Sequence, residues 1–370
     1  MPRKLMFIFG TRPEVIKLAP VILEAKDRGI KTVCISTGQH LSMFDMMVDA
    51  FNLDVEYSAQ LKRESNTLPE LTSELCRNLD YAFYSDTKPD IVFVQGDTLS
   101  TFIGSLVGFY YGCKVAHVEA GLRSHNKWSP FPEEMMRVLT SKIADYHFCP
   151  TELSKKNLLD DGIDGRKCYV TGNTVIDAMR HVVYPSYVFK TQKIRNIVSE
   201  KDKFIVLTMH RRENIGSYME SVLERIKDVA EKNNIDVIFP VHLNPLVQTI
   251  AENVFKDSKR VHLVPPLDYI EFANLLSRCL FVLTDSGGIQ EEAPYYGKPV
   301  VVLRKETERP EAVHAGAAVI AGVDPNSVQY YMDNLLNNPE VYRKMSQVTS
   351  PYGDGYSAQR IINILEQGGV

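Results

Sequence analysis

The stretch Thr284-Asp285-Ser286-Gly287-Gly288-Ile289-Gln290-Glu291-Glu292-Ala293-Pro294 has the residue types of a phosphate site. It follows the apolar run Leu280-Phe281-Val282-Leu283 and opens onto a short helix-like segment. Glycines at such a turn let the backbone approach a ligand, and the first helical N–H groups have no partner within the helix. Those donors, with the positive end of the helix dipole, suit a phosphate or diphosphate at Ser286, Gly287 and Gly288. Glu292 follows about one turn later, where a carboxylate can accept from ribose hydroxyls. An ordinary strand-to-helix corner uses the same residues, so this stretch alone leaves both readings open.

Other apolar runs end in similar fashion. The first ends in Gly10-Thr11-Arg12-Pro13-Glu14, with Lys17 a turn further on. Arg12 at a helix start can pair with a phosphate, and Lys17 would point to the same corner. Gln95-Gly96-Asp97-Thr98 places Asp97 where it suits either a helix N-cap or proton transfer. Glu119 closes Val115–Val118 beside a flexible Ala120-Gly121. In Ser129-Pro130-Phe131-Pro132-Glu133-Glu134-Met135-Met136-Arg137, two prolines precede a helix start. There Glu133 and Arg137 have the i,i+4 spacing of an ion pair. His210-Arg211-Arg212 gathers donors at another strand end, with an imidazole that titrates near neutral pH. His242 ends a further run, and Arg309 beside Pro310 could clamp a phosphate or ribose.

Several chemistries lack their signatures. No H-E-x-x-H, paired-cysteine site or D-x-D cluster is present, so no metal is implied. No G-x-G-x-x-G, Walker or G-x-S-x-G sequence appears, and no cofactor follows from the motifs. With 46 acidic and 42 basic residues the net charge is −4, and no basic block suggests a nucleic-acid partner. The six cysteines are scattered, as expected of buried thiols in a reducing, cytoplasmic setting. No window approaches the roughly 20 apolar residues of a bilayer span.

The elements that must hold these residues alternate along all 370 positions. Strands are predicted at Leu5–Phe9, Thr32–Ser36, Ile91–Gln95, Val115–Val118 and Tyr146–Cys149. A second series follows at Phe204–Thr208, Val237–Val241, Val261–Val264, Leu280–Thr284 and Val300–Leu303. Amphipathic segments such as Glu14–Arg28 and Thr67–Ser85 lie between them. This pattern predicts an α/β fold with two Rossmann-like domains facing a central cleft, residues 1–172 and 173–355. Ligands of such sheets sit at the carboxyl ends of the strands, where every residue named above falls. Cationic groups holding a diphosphate, opposite the carboxylates Asp97, Glu119 and Glu133, suit chemistry on a nucleotide-activated sugar.

Taken in order, the segments FGTRPEVIKLAPVI, STGQH, QGDTLSTF, HVEAGLRS, SPFPEEMMRVLTS, VTGNTVIDA, HRREN, PVHLNP, TDSGGIQEEAP, GKPVVVLR and TERPEAV resemble the non-hydrolysing UDP-N-acetylglucosamine 2-epimerases. The resemblance runs from about residue 7 to 315. It implies a glycosyltransferase-B-like fold, a final helix within 356–370 returning to the first domain, and a homodimer. It also implies C2 epimerisation of UDP-GlcNAc to UDP-ManNAc by anti elimination and re-addition of UDP. On that likeness Asp97, Glu119 and Glu133 handle the proton, Arg137 orients Glu133, and His210 acts on the diphosphate. Arg12, Lys17, Ser286, Gly287, Gly288, Glu292 and Arg309 bind substrate. Gln39, Glu134, Arg211 and His242 would hold a second UDP-GlcNAc as activator. Two positions depart from the family: Leu41 replaces a usual Arg, and Leu267 a usual polar residue.

Overall fold

The computed structural model describes residues 2, 4–38, 47–62, 64–65, 67–85, 88–200 and 203–368. The chain divides into two compact units, residues 1–181 with 352–370, and residues 182–351.

The first unit is built on seven parallel strands: β1 (Lys4–Phe9), β2 (Lys31–Ser36), β3 (Tyr57–Ser58), β4 (Ile91–Gln95), β5 (Lys114–Val118), β6 (Tyr146–Cys149) and β7 (Cys168–Val170). Their order is β3-β2-β1-β4-β5-β6-β7. Every residue of β1 and β4 is buried, the mark of a parallel sheet covered on both faces. Phe7 stacks on Phe93 at 4.8 Å across that central pair.

The second unit carries β8 (Phe204–Thr208), β9 (Asp236–Pro240), β10 (Val261–Val264), β11 (Val282–Thr284), β12 (Val300–Val302) and β13 (Ala318–Ile320). These strands, again all parallel, run in the order β10-β9-β8-β11-β12-β13. Strand order reverses between β1 and β4 in one sheet and between β8 and β11 in the other. The turns leaving such neighbours open a crevice at the carboxyl edge.

The ten strands predicted from the sequence are all present, with ends that agree to within two residues. β3, β7 and β13 were not predicted; each is two or three residues long and partly exposed. Their apolar runs are too short to announce a strand. The division also falls nine residues later than residue 172. The helix Thr174–Val182, but for its last residue, stays with the first sheet because the C-terminal segment grips it. Asn173 N–H donates to the Tyr352 carbonyl at 2.7 Å, and Ala358 N–H to Asp177 Oδ1 at 2.8 Å.

That segment ends in the helix Ser357–Gln367, which packs on Arg12–Asp27. Its buried residues Ala358, Ile361, Ile362 and Leu365 keep an i, i+3, i+4, i+7 stripe. Arg28 clamps its far end, 2.7 Å from both Asn363 and Glu366. Among the described residues no helix is long and apolar enough to cross a membrane.

Candidate active site

In the first unit two of the three candidate carboxylates, Asp97 and Glu119, lie at the turn after β4. Thr98, not Asp97, is the N-cap of the helix Leu99–Tyr110, accepting from Thr101 N–H at 3.2 Å. Asp97 is thereby released from the capping role that the sequence left open. Its carboxylate instead accepts from Arg137 Nη2, and it stays partly exposed. The i,i+4 pair of Glu133 with Arg137 is not made. Arg137 turns toward the strand end, where Asp97 and Glu134 (3.3 Å) take its guanidinium. Arg137 thus holds Asp97 and Glu134 rather than Glu133, the partner expected from the sequence. Glu133 opens the helix Glu133–Ile143, half-buried. Glu134 is almost wholly buried and accepts from the backbone N–H of Ser124 and His125 at 3.0 Å.

Glu119 is held from several sides. Lys17 Nζ and Gln95 Nε2 donate to its two oxygens, and Asn173 Nδ2 lies 3.4 Å from Oε1. Its backbone is left-handed, with φ of 63°. Such a conformation is uncommon for a residue with a side chain, and here it aims the carboxylate off the strand end. Gly96 lies between the two acids. A Cβ there would stand 3.6 Å from Glu119 Oε2, and Gly96 itself takes φ of 75°. Behind it, buried His117 donates through Nε2 to the Gly96 carbonyl at 2.7 Å. Burial pulls the His117 imidazole down to about 4, so the ring stays neutral and the bond persists at working pH.

Arg12 is the exposed first residue of the helix Arg12–Asp27. The Arg123 side chain, by contrast, is buried and tied to Asp161 at 2.8 Å and Ser141 at 3.0 Å, which makes it part of the framework.

In the second unit the turns after β8 and β11 meet at Asp285. This wholly buried carboxylate accepts from His210 N–H at 2.9 Å, Arg211 N–H at 2.8 Å and Asn214 Nδ2 at 3.1 Å. Its other oxygen lies 3.4 Å from His210 Nδ1. The His210 ring stacks on exposed His242, with centroids 5.2 Å apart. Burial lowers the His210 pKa; the Asp285 charge opposes that shift, and His242 and Arg211 add to it. Arg211 also reaches Glu308 at 3.8 Å.

Ser286 stands at the N-cap position of the short helix Gly287–Glu292, which continues as a 3-10 turn through Tyr296. A Cβ at Gly287 would meet nothing within 4 Å, so this glycine is not required by packing. Exposed Gly288 and half-buried Glu292 follow. Arg309 Nε donates to buried Glu291, which fixes the arginine beside this turn. Gln39 and Leu41 lie outside the described residues. Leu267 is half-buried just before the N-cap Asp268.

The sequence reading therefore placed most strand-end residues correctly but missed three that hold them: Glu14, Gln95 and Asp285. Glu14 lies in a T-x-x-E pattern after an apolar run, a capping signature that could have drawn attention to it. Nothing in the sequence distinguishes Asp285 from a turn residue.

Two doubly wound parallel sheets, one presenting carboxylates and the other a glycine turn, define an α/β enzyme of the glycosyltransferase-B-like class. A family model described as UDP-N-acetylglucosamine 2-epimerase matches residues 23–366. The UDP-N-acetylglucosamine 2-epimerase of Bacillus subtilis (strain 168) is 48% identical over 364 residues, covering 98% of this chain and 94% of its own. A crystal structure of UDP-GlcNAc 2-epimerase from Neisseria meningitidis bound to UDP-GlcNAc is 40% identical. It superimposes with a TM-score of 0.87, covering 98% of this chain and 100% of that one. The UDP-GlcNAc 2-epimerase of Methanocaldococcus jannaschii in complex with UDP-GlcNAc and UDP is 35% identical, with a TM-score of 0.80 over 99% of this chain and 100% of its own. The chain belongs to the UDP-N-acetylglucosamine 2-epimerase family.

Proposed function

We propose that this chain interconverts UDP-N-acetylglucosamine and UDP-N-acetylmannosamine by inverting C2, supplying ManNAc units for cell-surface polysaccharide. The observation that carries the reading is the pair of acids flanking Gly96: Asp97 with Arg137, and Glu119 with Lys17. Inversion at carbon needs a proton taken from one face and another delivered to the opposite face, and a second acid supplies what a single base cannot.

The C2 hydrogen is not acidic while the C1–O bond is intact. As that bond breaks, its electron pair leaves with UDP and positive charge grows at C1. A carboxylate takes the C2 proton, the C–H pair forms the C1=C2 bond, and 2-acetamidoglucal results. A proton added to the other face of C2, with UDP oxygen returning to C1, completes the inversion. Asp97, Glu119 and Glu133 handle the proton, and Arg137 orients Asp97. His210 stabilises the departing diphosphate by donating a hydrogen bond, or acts as an acid toward it, as charge develops. Arg12, Lys17, Ser286, Gly287, Gly288, Glu292 and Arg309 bind the UDP-sugar.

A glycosyltransferase on the same fold is the alternative. Incubation of UDP-GlcNAc with the protein alone in D2O separates the two. Epimerisation places deuterium at C2 and yields UDP-ManNAc; a transferase leaves C2 unlabelled, and that result would end this proposal.

The chain acts as a homodimer in this reading. Tyr81, Tyr84, Phe109 and Tyr110 are 60–84% exposed on two packed helices of the first unit, an aromatic face suited to a second copy. Tyr84→Glu with Phe109→Glu should give a monomer in sedimentation, and an unchanged mass argues against this face. A second UDP-GlcNAc at Gln39, Glu134, Arg211 and His242 acts as activator. A lag with UDP-ManNAc alone, abolished by trace UDP-GlcNAc, is expected, and its absence removes the activator. The chain works in the cytoplasm, consistent with six free cysteines.

A further inference from the structure

We infer that Glu14 is a positioning residue for the reaction: a buried carboxyl group that locks the Asp97-bearing turn to the Arg12-bearing turn. This rests on the reading above that Asp97 handles the proton.

Glu14 is 2% exposed and spans two loops that are remote in sequence. Its Oε2 accepts from Gly10 N–H at 2.5 Å and Thr11 N–H at 2.8 Å, in the turn leaving β1. Its Oε1 accepts from the Thr98 hydroxyl, in the turn leaving β4, with Thr101 Oγ1 a further 3.4 Å away. The proton wiring is determined by the neighbours. Thr101 donates its hydroxyl proton to the Gln95 carbonyl at 2.6 Å, and Thr98 Oγ1 already accepts from Thr101 N–H. The Thr98 proton is thus directed at Glu14, the nearer acceptor, rather than at Thr101 Oγ1, 3.1 Å away.

A helix capping box explains only part of this. Capping requires only that the carboxylate take the Thr11 N–H. Here the group is buried, takes a second backbone N–H and continues to a side chain 84 residues away. Burial pushes the Glu14 carboxyl up, whereas the Thr98 hydroxyl and the two N–H groups favour its ionised form. Asp97 is the residue immediately before Thr98. Its backbone is held on one side by His117 through the Gly96 carbonyl and on the other by Glu14 through Thr98. A shift of about 1 Å at a reacting group can cost on the order of 10²-fold in rate, so such a clamp affects turnover before it affects binding.

The test uses Thr98→Val, Thr98→Ser, Glu14→Gln and the Glu14→Gln/Thr98→Val double variant of the full chain. Serine keeps the hydroxyl; valine removes it. The amide introduced by Glu14→Gln can offer its oxygen to only one of the two loops. Thr98→Val and Glu14→Gln are each expected to lower kcat about 10-fold with KM changed less than about 2-fold, and Thr98→Ser to stay near wild type. The double variant is expected to fall no further than either single, since both remove one shared bond. Wild-type kcat in folded Thr98→Val, equal losses in Thr98→Val and Thr98→Ser, or a double variant about 100-fold down would each overturn the inference. If Glu14→Gln does not fold, Thr98→Asp decides. It keeps an acceptor that can cap Thr101 N–H but offers Glu14 no proton. It should therefore lose kcat as Thr98→Val does, and wild-type kcat in folded Thr98→Asp would overturn the inference. Hydrogen exchange at residues 95–101 is a readout free of turnover. Thr98→Val should speed it and Thr98→Ser should not; unchanged exchange in Thr98→Val also overturns the clamp. A wild-type protein that fails to label C2 in D2O would refute the proposed function alone, and the exchange result would still judge Glu14.

Discussion

The switch points of the two sheets solve the same local problem with carboxylates from different places in the chain. After β1, Gly10 and Thr11 direct successive N–H groups at Glu14; after β8, His210 and Arg211 direct theirs at Asp285. Each pair forms a concave donor site of the kind that binds outside anions. Each is already filled by an acid of the protein. Glu14 comes from the helix that follows the first strand, and Asp285 from the turn after the neighbouring strand. The difference decides what each second turn has left to offer. In the first unit that turn carries Asp97, bound to Arg137. In the second, Asp285 faces inward; Ser286 N–H donates to Thr284 Oγ1 at 2.9 Å, and a Cβ at Gly287 would meet nothing within 4 Å. One edge is thus acidic and suited to proton transfer. The other would, in the proposed reaction, offer the first N–H groups of the helix Gly287–Glu292 to phosphate.

The largest effect is expected at the acidic edge. Asp97→Asn should lower turnover about 10²-fold or more while leaving UDP affinity nearly unchanged, measured by steady-state kinetics and calorimetry. An equal loss of UDP affinity would erase the division of labour. Asp285→Asn should come next. Asparagine removes the charge that receives three donors and faces His210, so both kcat and stability should fall, the latter by about 1–3 kcal/mol in denaturant unfolding. Intact stability would mean that the two switch points are not equivalent.

Arg309→Ala should weaken UDP binding about 10-fold. It also leaves buried Glu291 without its guanidinium, so the melting temperature should drop. Adding Glu291→Gln should restore stability but not affinity; recovery of both would place Arg309 outside the ligand site. Gly287→Ala sharpens the contrast at least structural cost. The added methyl has open space, so stability should stay within about 0.5 kcal/mol while UDP binding weakens.

A smaller, pH-dependent difference is expected in the first unit. His117 and His147, paired across β5 and β6, are pulled by burial to about 4 and about 3. Above pH about 6.5 they are neutral folded or unfolded and cost nothing. As pH falls below that value the unfolded chain takes up protons that the folded one refuses. Stability should then decline by about 1.4 kcal/mol per pH unit for each ring, until the folded values are reached. His147→Phe should flatten that slope in urea titrations between pH 6.5 and 4; an unaltered slope would assign the acid sensitivity elsewhere.

The sequence by itself determined the α/β alternation, because strands buried on both faces must be apolar throughout, and that pattern is visible in β1, β4, β8 and β11. It also determined which residues lie at strand ends, since a turn follows each apolar run. The short edge strands left no such trace. Partnerships were decided only in three dimensions. Arg137 sits at i+4 from Glu133 and i+3 from Glu134, yet Asp97, 40 residues away, takes its guanidinium with Glu134. Glu14 reads as a local cap and becomes a bridge because β1 and β4 are neighbours in the sheet. A carboxylate's role depends on which donors converge on it, and sheet order sets that convergence across distances that no local pattern spans.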